Sequence, residues 1–240
     1  MGTSKGYTPP TGYLWADSKR AVTNMVRNDF SPLSIGKALS SFSIALSNGR
    51  ENAQTSASQM AVVGARAVNF IESVREFGFE ETLRKSGLLH LQNLAPDELR
   101  LGLLNYFSGS EHSLYEDIAQ QSLRELMREL LVDVATEEDY NSLMSTIKTE
   151  EFIREFIIKF IQNSFLTNFS EKILALFDKV SEYQEAERTI KSFIRNSLMS
   201  EYPMDKLSVI DWTGPEGKQI IEEKCNKALD ILTVWSETLV

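Results

Sequence analysis

From Asp17 to the C-terminus, apolar residues recur every three or four positions, the spacing that lines one face of a helix. Asp17 is suited to cap a helix running to about Arg27. Ser31-Pro32 offers an N-cap followed by a proline at the first helical position, and Asn48-Gly49 offers a stop. Between them Ile35, Leu39, Phe42 and Leu46 share a face. The next segment, residues 53–76, sets Ala53, Ala57, Ala61, Gly64, Ala65 and Val68 in a stripe. Small side chains on both segments permit close approach, so residues 32–76 are predicted to form a tight antiparallel helical hairpin.

The same period continues downstream. Ala95-Pro96-Asp97 opens a helix that ends near Ser108-Gly109, and residues 112–135 carry Leu123, Leu126, Met127, Leu130 and Val134 at helical spacing. Thr136-Glu137-Glu138-Asp139 resembles a capping box. Thr149-Glu150-Glu151 starts a helix whose band of Phe152, Ile153, Phe156, Ile157, Phe160, Ile161 and Phe165 is wide enough to be packed on two sides. Residues 171–199 turn Ile173, Phe177, Val180, Ile190, Phe193 and Leu198 inward, with Glu187 and Lys191 as an outer i,i+4 pair. Pro203 to Pro215 interrupts the pattern. The last helix carries Ile221, Cys225, Ala228, Leu232, Trp235 and Leu239 as a narrow seam, suited to packing inside the protein or on a second copy. No segment alternates with the period of a strand, and no unit repeats at a fixed spacing. The prediction is an all-α protein: one helical-bundle domain of about seven to nine helices over residues 17–240, behind a flexible extended N-terminal tail, residues 1–16.

That tail reads MGTSKGYTPPTGYLWA. Pro9-Pro10 bars a helix there, and Gly2, Gly6 and Gly12 leave the backbone free. Tyr7, Tyr13, Leu14 and Trp15 are large apolar groups, more than a merely solvating tail requires.

Composition narrows the functional classes. Apolar residues make up 42% of the 240 and charged ones 25%, which argues against a disordered chain. The single cysteine, Cys225, excludes an internal disulfide framework, and with only His90 and His112 beside it a Cys/His zinc site is nearly excluded. The net charge is −9, yet residues 1–66 hold seven Lys/Arg against Asp17, Asp29 and Glu51. The acidic remainder repels phosphate backbones and speaks against nucleic-acid binding. No apolar run approaches the ~20 residues of a membrane helix, the opening lacks a signal-peptide core, and Gly6 breaks the myristoylation pattern, so the expected location is the cytoplasm.

Catalytic motifs are scarce. Gly214-Pro215-Glu216-Gly217-Lys218-Gln219 lacks P-loop spacing and is better read as a helix start. No G-x-S-x-G is present. Glu80-Glu81, Glu137-Glu138-Asp139, Glu150-Glu151 and Glu222-Glu223 mostly fall in first helical turns, where the helix dipole favours acids. A cryptic metal enzyme built on such acids, Glu150 and Glu151 among them, is the reading from another class. Cys225, on an apolar seam, is expected to be an inert core thiol. Tyr13-Leu14-Trp15 with Lys19-Arg20 is the nearest approach to a base-stacking platform. The chemical group of interest is instead an α-amine. Removal of Met1 before the small Gly2 would expose an amine of pKa ~8, partly neutral near pH 7, on a residue with no side chain to obstruct entry into a pocket.

Met1-Gly2-Thr3-Ser4, the Gly/Pro/Tyr stretch after it, and Leu14-Trp15-Ala16 leading into a helical acidic body together resemble the QatB family, the B component of the bacterial Qat antiphage defence system. The resemblance is sharpest over the first sixteen residues, and the body agrees in size and helical character. It implies partners: an ATPase, a TatD-like nuclease, and QatC, a QueC-like enzyme similar to 7-cyano-7-deazaguanine synthase. It further implies a non-catalytic protein with no cofactor of its own, ATP and a 7-deazaguanine belonging to the partner. Gly2 would be the modified residue, its amine joined to an adenylated 7-carboxy-7-deazaguanine. Thr3, Ser4, Lys5, Gly6 and Tyr7 would line the partner's entry channel, with Tyr13, Leu14 and Trp15 anchoring at its mouth. The alternative is a helical scaffold or adaptor of the same complex whose tail docks unmodified.

Overall fold

A computed structural model describes residues 11–48, 50–51, 54–107, 113–132, 134, 136–201, 210–212 and 214–238. Their order is α1 (Tyr13–Arg27), α2 (Pro32–Asn48), β1 (Arg50–Glu51), β2 (Gln54–Thr55), α3 (Ser56–Phe77), α4 (Phe79–Lys85), a 3-10 turn (Leu89–Leu91), α5 (Pro96–Phe107), α6 (Leu114–Leu130), α7 (Glu137–Thr146), α8 (Thr149–Leu174), α9 (Val180–Glu201) and α10 (Pro215–Thr238). The all-α prediction holds, with ten α-helices among the described residues. β1 and β2 form a two-residue antiparallel ladder, Arg50 opposite Thr55 and Glu51 opposite Gln54, that turns α2 into α3. No helix among the described residues is long and apolar enough to cross a membrane.

Local chemistry explains most boundaries. Pro32 opens α2 as anticipated. Thr55 caps α3 by accepting from the Ser58 amide, and Ser113 caps α6 by accepting from Glu116. Thr136 and Asp139 form the reciprocal capping box at α7. Glu171–Leu174 complete α8, so the segment read as residues 171–199 is split by a turn, and Val180, expected inward, is 65% exposed as the first residue of α9.

Tertiary packing departs from the hairpin prediction. α2 and α3 barely meet, because α10 lies along both of them. The small stripe of α3 serves other neighbours: a Cβ on Gly64 would stand 2.9 Å from Phe156 Cε1 of α8 and 3.3 Å from Ile221 Cδ1 of α10. Glycine there lets three helix axes converge. Ile221, Cys225, Ala228 and Leu232 of the C-terminal seam are fully buried in the protein's own core and need no second copy to cover them; the Trp235 side chain and Leu239 lie outside what the structure describes. α8 is buried on several faces, as its wide band predicted, and packs against α1, α3, α6 and α9. Its polar residues set register. Gln162 donates to the Lys191 carbonyl of α9 at 2.8 Å, and Asn163 donates to Ser122 and Glu125 of α6 at 3.0 and 3.2 Å. Glu187 and Lys191 form the anticipated pair at 2.7 Å.

Candidate functional site

Gly2, Thr3, Ser4, Lys5, Gly6 and Tyr7 lie outside the described residues. The structure begins at the root of the tail, and helix geometry sorts the three anchor residues there. α1 starts at Tyr13, four residues before the predicted cap at Asp17, so the helical domain takes in residues assigned to the tail. Gly12 precedes it with φ 112° and ψ 168°, a backbone region open essentially to glycine alone, and its carbonyl accepts the Ala16 amide at 3.0 Å. Space around Gly12 is open, so glycine is required by the turn itself and not by a neighbour.

Successive helical residues point about 100° apart. Tyr13 therefore stands outward, 76% exposed, while Trp15 turns inward, 6% exposed. Leu14 is half-buried against the core. Trp15 meets Phe42 of α2 edge-on at 6.2 Å and Phe169 of α8 at 6.3 Å. Phe165 completes the aromatic cluster, 5.3 Å from Phe42 and 5.0 Å from Phe169. Trp15 thus anchors the first turn to the body, and its ring has no surface left to offer at a partner's mouth. Sequence pattern treated residues 13–15 as one patch because no helix period was assigned to them; once they are helical, the patch divides into an outward Tyr and an inward Trp.

Beyond the root, a groove of about 540 Å³ lies along α1 and α2. Asp17, Arg20 and Asn24 line it from α1, Asn28 from the turn that follows, and Lys37 and Ser41 from α2. Arg20 donates to Asp17 at 2.7 Å, so those two charges cancel locally. At the far end, Asp29 and Phe30 both adopt left-handed backbone (φ 47° and 54°), and Phe30 stacks on Phe177 at 6.0 Å. The local strain of two non-glycine left-handed residues is offset by that stacking and by the Phe30 amide bonding to the Met25 carbonyl at 3.1 Å.

A second cleft, about 660 Å³, opens where the end of α3 meets the α7–α8 junction and residues 210–212. No sequence pattern singled it out. Arg75 spans it, donating from Nε to the Met144 carbonyl at 2.9 Å and from Nη1 to Glu72 at 2.7 Å and Thr149 at 2.8 Å. The Thr149 hydroxyl in turn donates to Glu72. Every strong group in this cluster is engaged with another helix, so it is a bracket joining α3 to α7 and α8. Its members come from distant parts of the chain, Glu72 and Arg75 from α3, Met144 from α7 and Thr149 from α8, so no local pattern announces it.

The remaining candidates separate in space. Glu151 pairs with Lys148 at 2.9 Å, while Glu150 lines the second cleft. Among the described residues no three of His, Cys, Asp and Glu gather where they could hold a metal ion. Cys225 is fully buried, and burial together with the nearby Glu222 pushes its thiol far above the ordinary range, which leaves it protonated and inert. His90 is exposed on the 3-10 turn, and His112 lies outside the described residues.

Compared with known families, the chain matches that of the Qat anti-phage system associated protein QatB over residues 48–232. That match falls on the helical body, from the end of α2 into α10, and not on the opening residues that first carried the likeness. No curated protein and no solved structure matches it.

Proposed function

Because this chain belongs to the QatB family, and so to the Qat anti-phage system, we propose that it is a non-catalytic component whose body presents an N-terminal tail to a QueC-like partner enzyme of the QatC type. In this reading the partner adenylates a 7-carboxy-7-deazaguanine with ATP, releasing pyrophosphate. The Gly2 amine, exposed by removal of Met1, attacks the activated carboxyl carbon. A C–N bond forms, the C–O bond to AMP breaks, AMP departs, and the amine loses a proton, leaving an amide-linked deazaguanine on Gly2. Thr3, Ser4, Lys5, Gly6 and Tyr7 lie along the partner's channel, and Tyr13 is the anchor at its mouth. An ATPase and a TatD-like nuclease complete the proposed complex.

The observation that carries this reading is the construction of the tail's root. Gly12 and Tyr13 are exposed, while Trp15, two residues after Tyr13, is held against Phe42 and Phe169. A body that holds residue 15 in its core and leaves residues 12 and 13 at its surface suits delivery of a terminus into another protein's pocket. The amine chemistry adds a pH signature: with a pKa ~8 the neutral, nucleophilic fraction rises about tenfold per pH unit below that value. Co-expression with the enzyme and its precursor, followed by intact-mass and N-terminal peptide analysis, tests it. The expected product carries one deazaguanine acyl group on Gly2; an unmodified Gly2 in the presence of active enzyme and precursor refutes the modification.

A further inference from the structure

We infer that the groove between α1 and α2 is a second contact for the enzyme that receives the tail, and that it takes an acidic loop of that enzyme. The inference rests on the reading above and specifies where on the body the partner sits. Reach limits the choice. Gly2 lies ten residues from Gly12, so a pocket holding Gly2 is at most ~33–36 Å from the root of the tail. The tail keeps the enzyme within that distance of the start of α1, and the groove begins beside it, with Asp17 one turn beyond Tyr13.

The lining of the groove specifies what fits. Asp17 is already neutralised by Arg20, the Asn28 amide donates to the Asn24 carbonyl at 2.6 Å, and Ser34 donates to the Ser31 carbonyl at 2.8 Å. The Asn24 side-chain amide, the Ser41 hydroxyl and the Lys37 ammonium have no partner among the described residues. Two neutral hydrogen-bonding groups and one uncompensated cation suit a loop that offers main-chain carbonyls and a carboxylate. Charge agrees: residues 11–48 hold Lys19, Arg20, Arg27 and Lys37 against Asp17 and Asp29, a basic front on a chain of net charge −9. An acidic partner surface is drawn to that front and repelled by the rest, which orients the enzyme over the tail.

The test uses the full-length chain and the QueC-like enzyme, with binding measured at two salt concentrations. Lys37 is exposed, so Lys37→Glu should keep the wild-type melting temperature. It should weaken binding about tenfold, mainly by slowing association, and flatten the salt dependence. Deletion of residues 2–6 should weaken binding independently. If the deletion abolishes binding while Lys37→Glu binds like wild type, the tail reading stands and the groove assignment is overturned. If the wild-type chain does not bind the enzyme, both fall. If light scattering shows a dimer of the wild-type chain that Lys37→Glu dissociates, the occupant is a second copy, and the assignment to the enzyme is overturned.

Discussion

Truncating Trp15 to alanine tests whether this residue belongs to the body or to the tail. Its indole is 6% exposed and packs against Phe42 and Phe169. A buried aromatic side chain removes about 150–250 Å² from water, which at ~25 cal/mol per Å² corresponds to about 4–6 kcal/mol for full removal. Measured Trp-to-Ala truncations in cores fall near 3–5 kcal/mol. Trp15 is the third residue of α1, so the variant has an escape: the first turn can detach, exposing Phe42 and Phe169 without carrying a cavity. That route holds the loss toward the lower figure of about 3 kcal/mol. For a domain of this size each kcal/mol moves the melting temperature by about 2–4 °C, so a fall of about 6–12 °C is expected. Tyr13→Ala, at a residue 76% exposed, should melt within ~0.5 kcal/mol of wild type. Urea denaturation followed by circular dichroism measures both, and hydrogen exchange reads detachment of the first turn as lost protection at Ser18 and Lys19. A Trp15→Ala variant as stable as Tyr13→Ala would refute the core assignment and return Trp15 to the surface.

Other outcomes follow from the packing. Gly64→Ala should destabilise despite the ~1 kcal/mol gain in helix propensity, because the new methyl meets Phe156 at 2.9 Å and Ile221 at 3.3 Å; a net loss of about 1–2 kcal/mol in urea melts is expected, and a stabilised variant would show that α8 and α10 yield freely. Arg75→Met removes the bonds to Met144, Glu72 and Thr149 and should cost about 1–3 kcal/mol, with increased hydrogen exchange at the start of α8. The Cys225 thiol is raised well above its ordinary 9.0 by burial, so the folded state keeps its proton where the unfolded chain loses it. Its contribution is whole below pH 9.0 and falls by about 1.4 kcal/mol for each pH unit above. Between pH 8 and 10 the wild-type stability should decline more steeply than that of Cys225→Ala, and equal slopes would contradict the burial. Thiol reagents at pH 8 should label Cys225 only after denaturant is added.

Most of the helices were legible along the chain, because their causes are local. The Thr136–Asp139 capping box, the Pro32 opening and the phenylalanine-isoleucine band of α8 are written within one or two turns, and each formed as its chemistry required. α4 escaped notice since seven residues are too few to display a period, and the ladder of Arg50–Glu51 with Gln54–Thr55 is shorter still. The candidate site divided along the same line. Residues 13–15 showed their aromatic character in sequence, but which ring faces outward depended on where α1 begins.

Sequence sufficed for the class of fold, the positions of most helices, the basic front, and the burial of Cys225, because helix period, capping and charge are properties of neighbouring residues. The arrangement of those helices required the folded chain. The small stripe around Gly64 announced a close approach without naming the neighbour, and any helix with a complementary surface could have filled it. Packing assigned α8 and α10 to that place, separated α2 from α3, and closed Ile221, Cys225, Ala228 and Leu232 of the C-terminal seam on the protein's own core. It also took Trp15 from the tail, since an apolar stripe states that a face must be covered, while only the competition among all such faces for one interior decides by what.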